Sequence, residues 1–155
     1  MSELAVEVVD VEPRPTAVIR ETTSWPQLST TIQRLLDQVW DVVGAEPRRS
    51  QLAHDGFGEN VILYLDPKPT IEVGVLVGPS FEPAGPVELS SLPGGRVARA
   101  IHRGPYQLLG ATHQEVRGWC EAHGHALAGI SWEHYGDWHD DPAELETAIA
   151  YVLSV

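Results

Sequence analysis

At 155 residues, 43% of them hydrophobic, the chain is sized for a single domain with a genuine core, expected to span residues 1–155. A formal net charge of −12 with no basic run repels phosphate backbones and anionic membranes, so no direct nucleic-acid partner and no membrane are expected. The single cysteine, Cys120, rules out an intramolecular disulfide, and without a basic apolar leader or a spanning apolar run the sequence reads as cytoplasmic.

In chain order, an apolar run at 16–20 predicts a strand. A helix is then expected from Trp25, with Ser24 as N-cap and Pro26 in the first turn, where a missing N–H costs little. Its apolar stripe is Leu28, Ile32, Leu35, Leu36, Val39, Trp40 and Val43, and Gly44 stops it. Strands at 60–65 and 70–77 follow, joined by an Asp66-Pro67 turn. The segment 78–95, rich in Pro and Gly, reads as a linker. The order then recurs. A strand at 96–101 leads to a helix opened by Pro105, with a stripe of Leu109, Thr112, Val116, Trp119 and Cys120 ending at Gly124. Strands at 126–135 and 144–153 close the chain.

The recurrence is specific. Tyr64 before Asp66-Pro67 matches Tyr135 before Asp141-Pro142, and the run from Glu72 to Val75 matches the run from Glu146 to Ile149. A strand–helix–strand–strand unit used twice, over about 5–78 and 95–155 with a linker at 79–94, predicts an α+β fold. The sheet is antiparallel, with two main helices on one face and a cleft at the pseudo-twofold junction, a favoured place for ligands.

Strand alternation puts Ser131, Glu133 and Tyr135 on one face and Ile130, Trp132 and His134 on the other. One face is expected to meet the helices and the other to line the cleft. A carboxylate among aromatics is costly to bury unless paired, hydrogen-bonded or protonated. From the local residues alone, Glu133 is either a pocket acid or a solvated strand glutamate. Between strand and second helix stands His102-Arg103-Gly104-Pro105-Tyr106, which directs Tyr106 toward the cleft. His102, at the strand end, reads as a titrating group or as a structural hydrogen-bonder. The pairs His123/His125 and His134/His139 lack the spacing of a metal site, so no metal is expected. Cys120 lies on the apolar stripe, where buried thiols are inert. No nucleophile elbow, phosphate loop or dinucleotide fingerprint occurs, and no cofactor is expected.

Taken in order, His102-x-Gly104-x-Tyr106, a helix ending near Trp119 and Gly124, Glu133-x-Tyr135, Asp141-Pro142 and the run from Glu146 to Ile149 resemble the GyrI-like (gyrase-inhibitor-like) effector-binding domain. The resemblance implies a two-unit fold whose cleft takes bulky aromatic or cationic small molecules. It makes Glu133 the central acid and Tyr106 a pocket wall. Trp25, where the first repeat places its counterpart of Tyr106, and Tyr64, Trp132, Tyr135 and Trp138 are further wall candidates. Strand parity ranks Trp132 below Tyr135. Many relatives carry this domain behind a helix-turn-helix reader, and about fifteen residues before the first repeat leave no room for one, so a stand-alone member is expected.

Three functions follow. The first is binding, to sense or sequester a hydrophobic aromatic compound, including cationic ones, as in drug sensing or self-resistance. The second is cofactor-independent hydrolysis of strained cyclopropane rings in DNA-alkylating natural products. There Glu133 would activate water and Tyr106 or Tyr135 would hold the carbonyl. The third, a protein partner such as gyrase, ranks last, because the acidic residues are spread along the chain without a dense block.

Overall fold

Apolar runs become strands and the two apolar stripes become helices in the computed structural model, which describes residues 4–54 and 56–154. Strands β1 (Glu7–Val11) and β2 (Arg14–Thr22) lead into helix α1 (Leu28–Val43), followed by β3 (Asn60–Tyr64) and β4 (Thr70–Leu76). Strands β5 (Glu88–Leu92) and β6 (Gly95–Arg103) lead into α2 (Leu109–Ala122), followed by β7 (Leu127–Tyr135) and β8 (Glu146–Leu153). Each helix is entered through one 3-10 turn, Trp25–Gln27 or Tyr106–Leu108. Ser24 flanks the first turn, but its side chain makes no capping bond, and α1 proper begins at Leu28. The segment read as a linker contains β5, and β1 precedes the first expected strand, so each unit carries an extra leading strand.

Those leading strands are exchanged. The antiparallel sheet runs β1-β6-β8-β7-β3-β4-β2-β5, so β1 borders the second unit and β5 borders the first. Only Glu12 and Pro13 connect β1 to β2, a reach of roughly 11 Å. In a flat sheet those strands would stand six spacings apart, roughly 29 Å. The sheet must therefore curl until its ends approach. The two short connections indeed meet, since a Cβ placed on Gly94 would lie 2.6 Å from the Pro13 ring.

Directly paired residues share a face. One row, Ile19–Val73–Ile62–Glu133–Ile149–Ala100, crosses six strands, and its only polar member is Glu133. Helix α1 packs Leu35, Val39 and Val43 against Val73 and Val75, and α2 packs Val116 and Cys120 against Ala100 and Ile149. The helices thus cover the two flanks of the row and leave its centre open. The expectation that one face meets the helices while the other lines the cleft is corrected: both happen on the same face. The second face buries its own core inside the curl, with Val61, Leu63, Leu76, Leu92, Val97 and Trp132.

The duplication survives as matched contacts. Arg20 pairs with Glu72 across β2–β4, and Arg103 with Glu146 across β6–β8, each at a directly opposed register position. With Tyr64 matching Tyr135, the counterpart of Glu133 is its own cross-strand partner Ile62, which puts the pseudo-twofold axis through that pair.

Candidate functional site

Glu133 is 4% exposed at the centre of the β3–β7 pair. An unpartnered carboxylate there would cost several kcal/mol, and three donors meet it. Its Oε1 accepts from the hydroxyls of Tyr135 at 2.8 Å and Tyr64 at 3.1 Å, and its Oε2 lies 2.6 Å from His113 Nε2. If His113 gives its Nε2–H to the carboxylate, Nδ1 accepts from the Tyr151 hydroxyl at 2.6 Å, whose oxygen takes an N–H from Arg117 at 2.8 Å. One ordered chain of donors, Arg117 to Tyr151 to His113, therefore ends on the acid.

All four tyrosines of the sequence sit around this point. Burial first, and the charge of Glu133 second, push the Tyr64 and Tyr135 phenols far above their ordinary range. Burial also raises Tyr151, against the pull of Arg117, and it raises Tyr106. These phenols stay protonated and serve as hydrogen-bond donors. The Tyr106 hydroxyl, among the described residues, has no hydrogen-bond partner.

Two cavities, of about 610 and 600 Å³, open on either side of Glu133, and each is lined by it, Tyr64, Leu28 and Leu109. They are pseudo-twofold mates. Leu28, Ile32 and Leu36 of α1 occupy in one the places that Leu109, His113 and Arg117 of α2 occupy in the other. At the rims, Trp25 stacks on Tyr64 with ring centroids 6.4 Å apart, while Tyr106 meets Tyr135 edge-on at 5.2 Å. Trp138, 69% exposed, lies 6.4 Å from Tyr106.

The structure thus brings Glu133, Tyr64, Tyr106, Tyr135, Trp25 and Trp138 to one cleft. Trp132, an expected wall residue, and His102, a ligand-binding candidate from its place at the strand end, lie elsewhere. Trp132 is buried in the second-face core, as its strand parity requires. His102 is 5% exposed and lines neither cavity. Its Nδ1 meets Thr112 Oγ1 at 2.6 Å and its Nε2 meets the Pro105 carbonyl at 3.0 Å, so it fastens the entry turn to α2. His113, Arg117 and Tyr151 were not singled out from sequence. Their signals are faint: His113 and Arg117 flank the α2 stripe one turn apart, and Tyr151 shares the β8 face of Ile149. Among the described residues no three His, Cys, Asp or Glu side chains converge as a metal site, and no helix is long and apolar enough to cross a membrane. His123 and His125 stack on Trp119 instead. Burial raises the Cys120 thiol.

A duplicated α+β sheet whose two helices part over a carboxylate ringed by aromatics defines a small-molecule-binding fold. The chain belongs to the GyrI-like small molecule binding domain family, whose profile matches residues 4–151. No curated protein matches it in sequence. Among solved structures, the C-terminal domain of EcmrR has a TM-score of 0.73 at 18% identity, over 99% of each chain. In an EcmrR–DNA complex the match covers 97% of this chain and 57% of that one, with a TM-score of 0.77 at 20% identity. SAV2435 bound to tetraphenylphosphonium has a TM-score of 0.74 at 12% identity, over 97% and 94% of the two chains. A hydrolase from Listeria innocua has a TM-score of 0.60 at 14% identity, over 96% and 91%. At these identities the likeness concerns the fold.

Proposed function

We propose that this protein binds flat, bulky aromatic compounds, cationic ones included, in the cleft centred on Glu133, and so senses or sequesters them. The observation that carries the reading is a buried carboxylate on the pseudo-twofold axis, held by three donors between two aromatic-rimmed cavities. A carboxylate so held keeps its position and offers a cation a fixed acceptor. Trp25, Tyr64, Tyr106, Tyr135 and Trp138 supply stacking surface. The tetraphenylphosphonium carried by SAV2435 is a bulky aromatic cation, tetrahedral rather than flat.

A second reading uses the same pocket for metal-independent hydrolysis of a strained cyclopropane ring. One observation favours it: Glu133 and Tyr106, whose hydroxyl has no partner among the described residues, line the same cavity, so a base and a free phenol face one ligand. Glu133 would take a proton from water as the water oxygen bonds the ring carbon. The electron pair of the broken C–C bond would move to a conjugated carbonyl held by a phenol, and the carbonyl side would take up the proton that Glu133 releases through solvent, which completes the addition of one water. That phenol would be Tyr106, because Tyr135 already donates to Glu133. Three protein donors already occupy most of the acceptor sites of the carboxylate and leave little room for a water to be held by it, which ranks this reading second.

The test titrates purified protein with ethidium and, separately, with a cyclopropane-bearing alkylator, following tryptophan quenching and product mass. Binding predicts quenching by ethidium, weakened roughly tenfold by Glu133→Gln, the size of one partly desolvated charge contact. A mass gain of one water on the alkylator, lost in the same variant, would establish the hydrolytic reading. Ethidium affinity equal in both proteins would remove Glu133 from the role.

A further inference from the structure

The two cavities match in shape and differ in chemistry. On the α1 side the axis-related positions carry Ile32 and Leu36, and on the α2 side they carry His113 and Arg117. The α2 cavity is further lined by Gln114, Ser131 and Tyr151. Arg117 is the unusual member. The chain has 22 acidic residues against 10 basic ones; Arg20, Arg34, Arg96, Arg99 and Arg103 pair with carboxylates, and Arg48 and Arg49 donate to backbone carbonyls. Arg117 does neither. Glu121 stands one turn ahead on the same helix, at a spacing that suits an ion pair. The side chain turns the other way instead, into the cavity. There Nη1 donates to the neutral Tyr151 hydroxyl and the guanidinium lies 5.9 Å from that ring's centroid. Among the described residues no carboxylate lies within ion-pair distance of it. One N–H of five is used, and the rest of the planar fork is available to an acceptor. Asp66, which also lines this cavity, accepts at Oδ1 from the backbone N–H groups of Lys68 and Thr70.

Resting on the reading of the cleft as a small-molecule site, we propose that its preferred ligands are zwitterionic: a flat aromatic body with a cationic part over Glu133, and a carboxylate-class anion held by Arg117 in the α2 cavity. Arg117 is the specificity-determining residue. The α1 cavity, with leucine in the matching place, takes the apolar remainder. A guanidinium fork and a carboxylate match geometrically, so the anion is recognised by orientation as well as by charge.

Two forms of one dye test this: a rhodamine free acid, zwitterionic at neutral pH, and its methyl ester, a simple cation. The body and positive charge are common to both, and only the carboxylate differs. The wild type is expected to bind the acid roughly tenfold more tightly than the ester, about one charge-assisted hydrogen bond. Arg117→Leu, which installs the residue of the matched position, should bring the acid-to-ester affinity ratio to about one, a ratio in which any effect passed to both dyes alike through Tyr151, His113 and Glu133 cancels. Arg117 is exposed on α2, and circular dichroism and the melting temperature report whether the variant folds as the wild type does. Arg117→Lys should restore part of the preference. Equal affinities of the two dyes for the wild type, or a preference that survives Arg117→Leu, would overturn the inference while leaving the cleft reading intact. Failure of both dyes to bind the wild type would overturn both.

Discussion

Glu133 accepts hydrogen bonds from two buried phenols, Tyr64 and Tyr135, which donate only while they keep their protons. The pH consequence can be signed. In the unfolded chain the phenols titrate near their ordinary value of 10.0, whereas burial and Glu133 hold Tyr64 and Tyr135 well above it in the fold. Below that value both states keep the protons and the stability is fully present. Above it the unfolded state releases protons that the folded state retains, so stability falls with rising pH. Tyrosinate absorbance is therefore expected to rise together with loss of structure in an alkaline titration. A tyrosinate signal that develops while circular dichroism is unchanged would mean that the phenols are open to solvent. At this scale, strand parity placed Glu133 with Tyr135 and away from Trp132, and the repeat supplied Tyr64. His113 escaped because a histidine on the flank of a helical stripe has no pattern of its own. Its role comes from β7, twenty residues further on, which brings a carboxylate to its Nε2.

Between elements, the least legible feature was the exchange of β1 and β5. Both are five-residue strands, and β5 reads Glu-Leu-Ser-Ser-Leu between Pro- and Gly-rich flanks. Nothing local marks such a segment as a strand, because its partner belongs to the other unit. The helices and central strands were legible because their periodicity is set by burial on one face. The curl that follows from the exchange makes a demand at Gly74 in β4. A Cβ there would lie 1.9 Å from the Ala17 carbonyl oxygen of β2, a backbone atom that moves only if the strand moves. Gly74→Ala is therefore expected to destabilise the fold by roughly 3 kcal/mol, the upper end for overpacking. The urea midpoint reports it. It should also loosen ligand binding, because β4 carries Val73 and Val75 beneath α1. A midpoint equal to that of the wild type would show that β2 and β4 can separate at no cost.

Across the whole molecule, the net charge of −12 and the single buried acid act on different steps of binding. Arg34, Arg96, Arg99 and Arg103, which would oppose an incoming cation, pair with carboxylates, and the 22 acidic residues are spread along the chain without a dense block. Such a field guides a cation toward the protein but makes no contact with it once bound. Its effect belongs to the association rate and is screened by salt. Raising the ionic strength from about 0.01 to about 0.1 M shortens the screening length from roughly 30 to 10 Å. Over that range the association rate of ethidium is expected to fall severalfold in stopped-flow quenching, with its dissociation rate nearly constant. Glu133→Gln should do the reverse, speeding dissociation and leaving association alone, because that charge is buried and acts at short range. A zwitterionic dye has no net charge for the field to act on, so its association should respond little to salt even if its affinity is higher. Were salt to change dissociation instead, the attraction would come from exposed acids touching the ligand, and the buried carboxylate would lose its place as the charge that holds it.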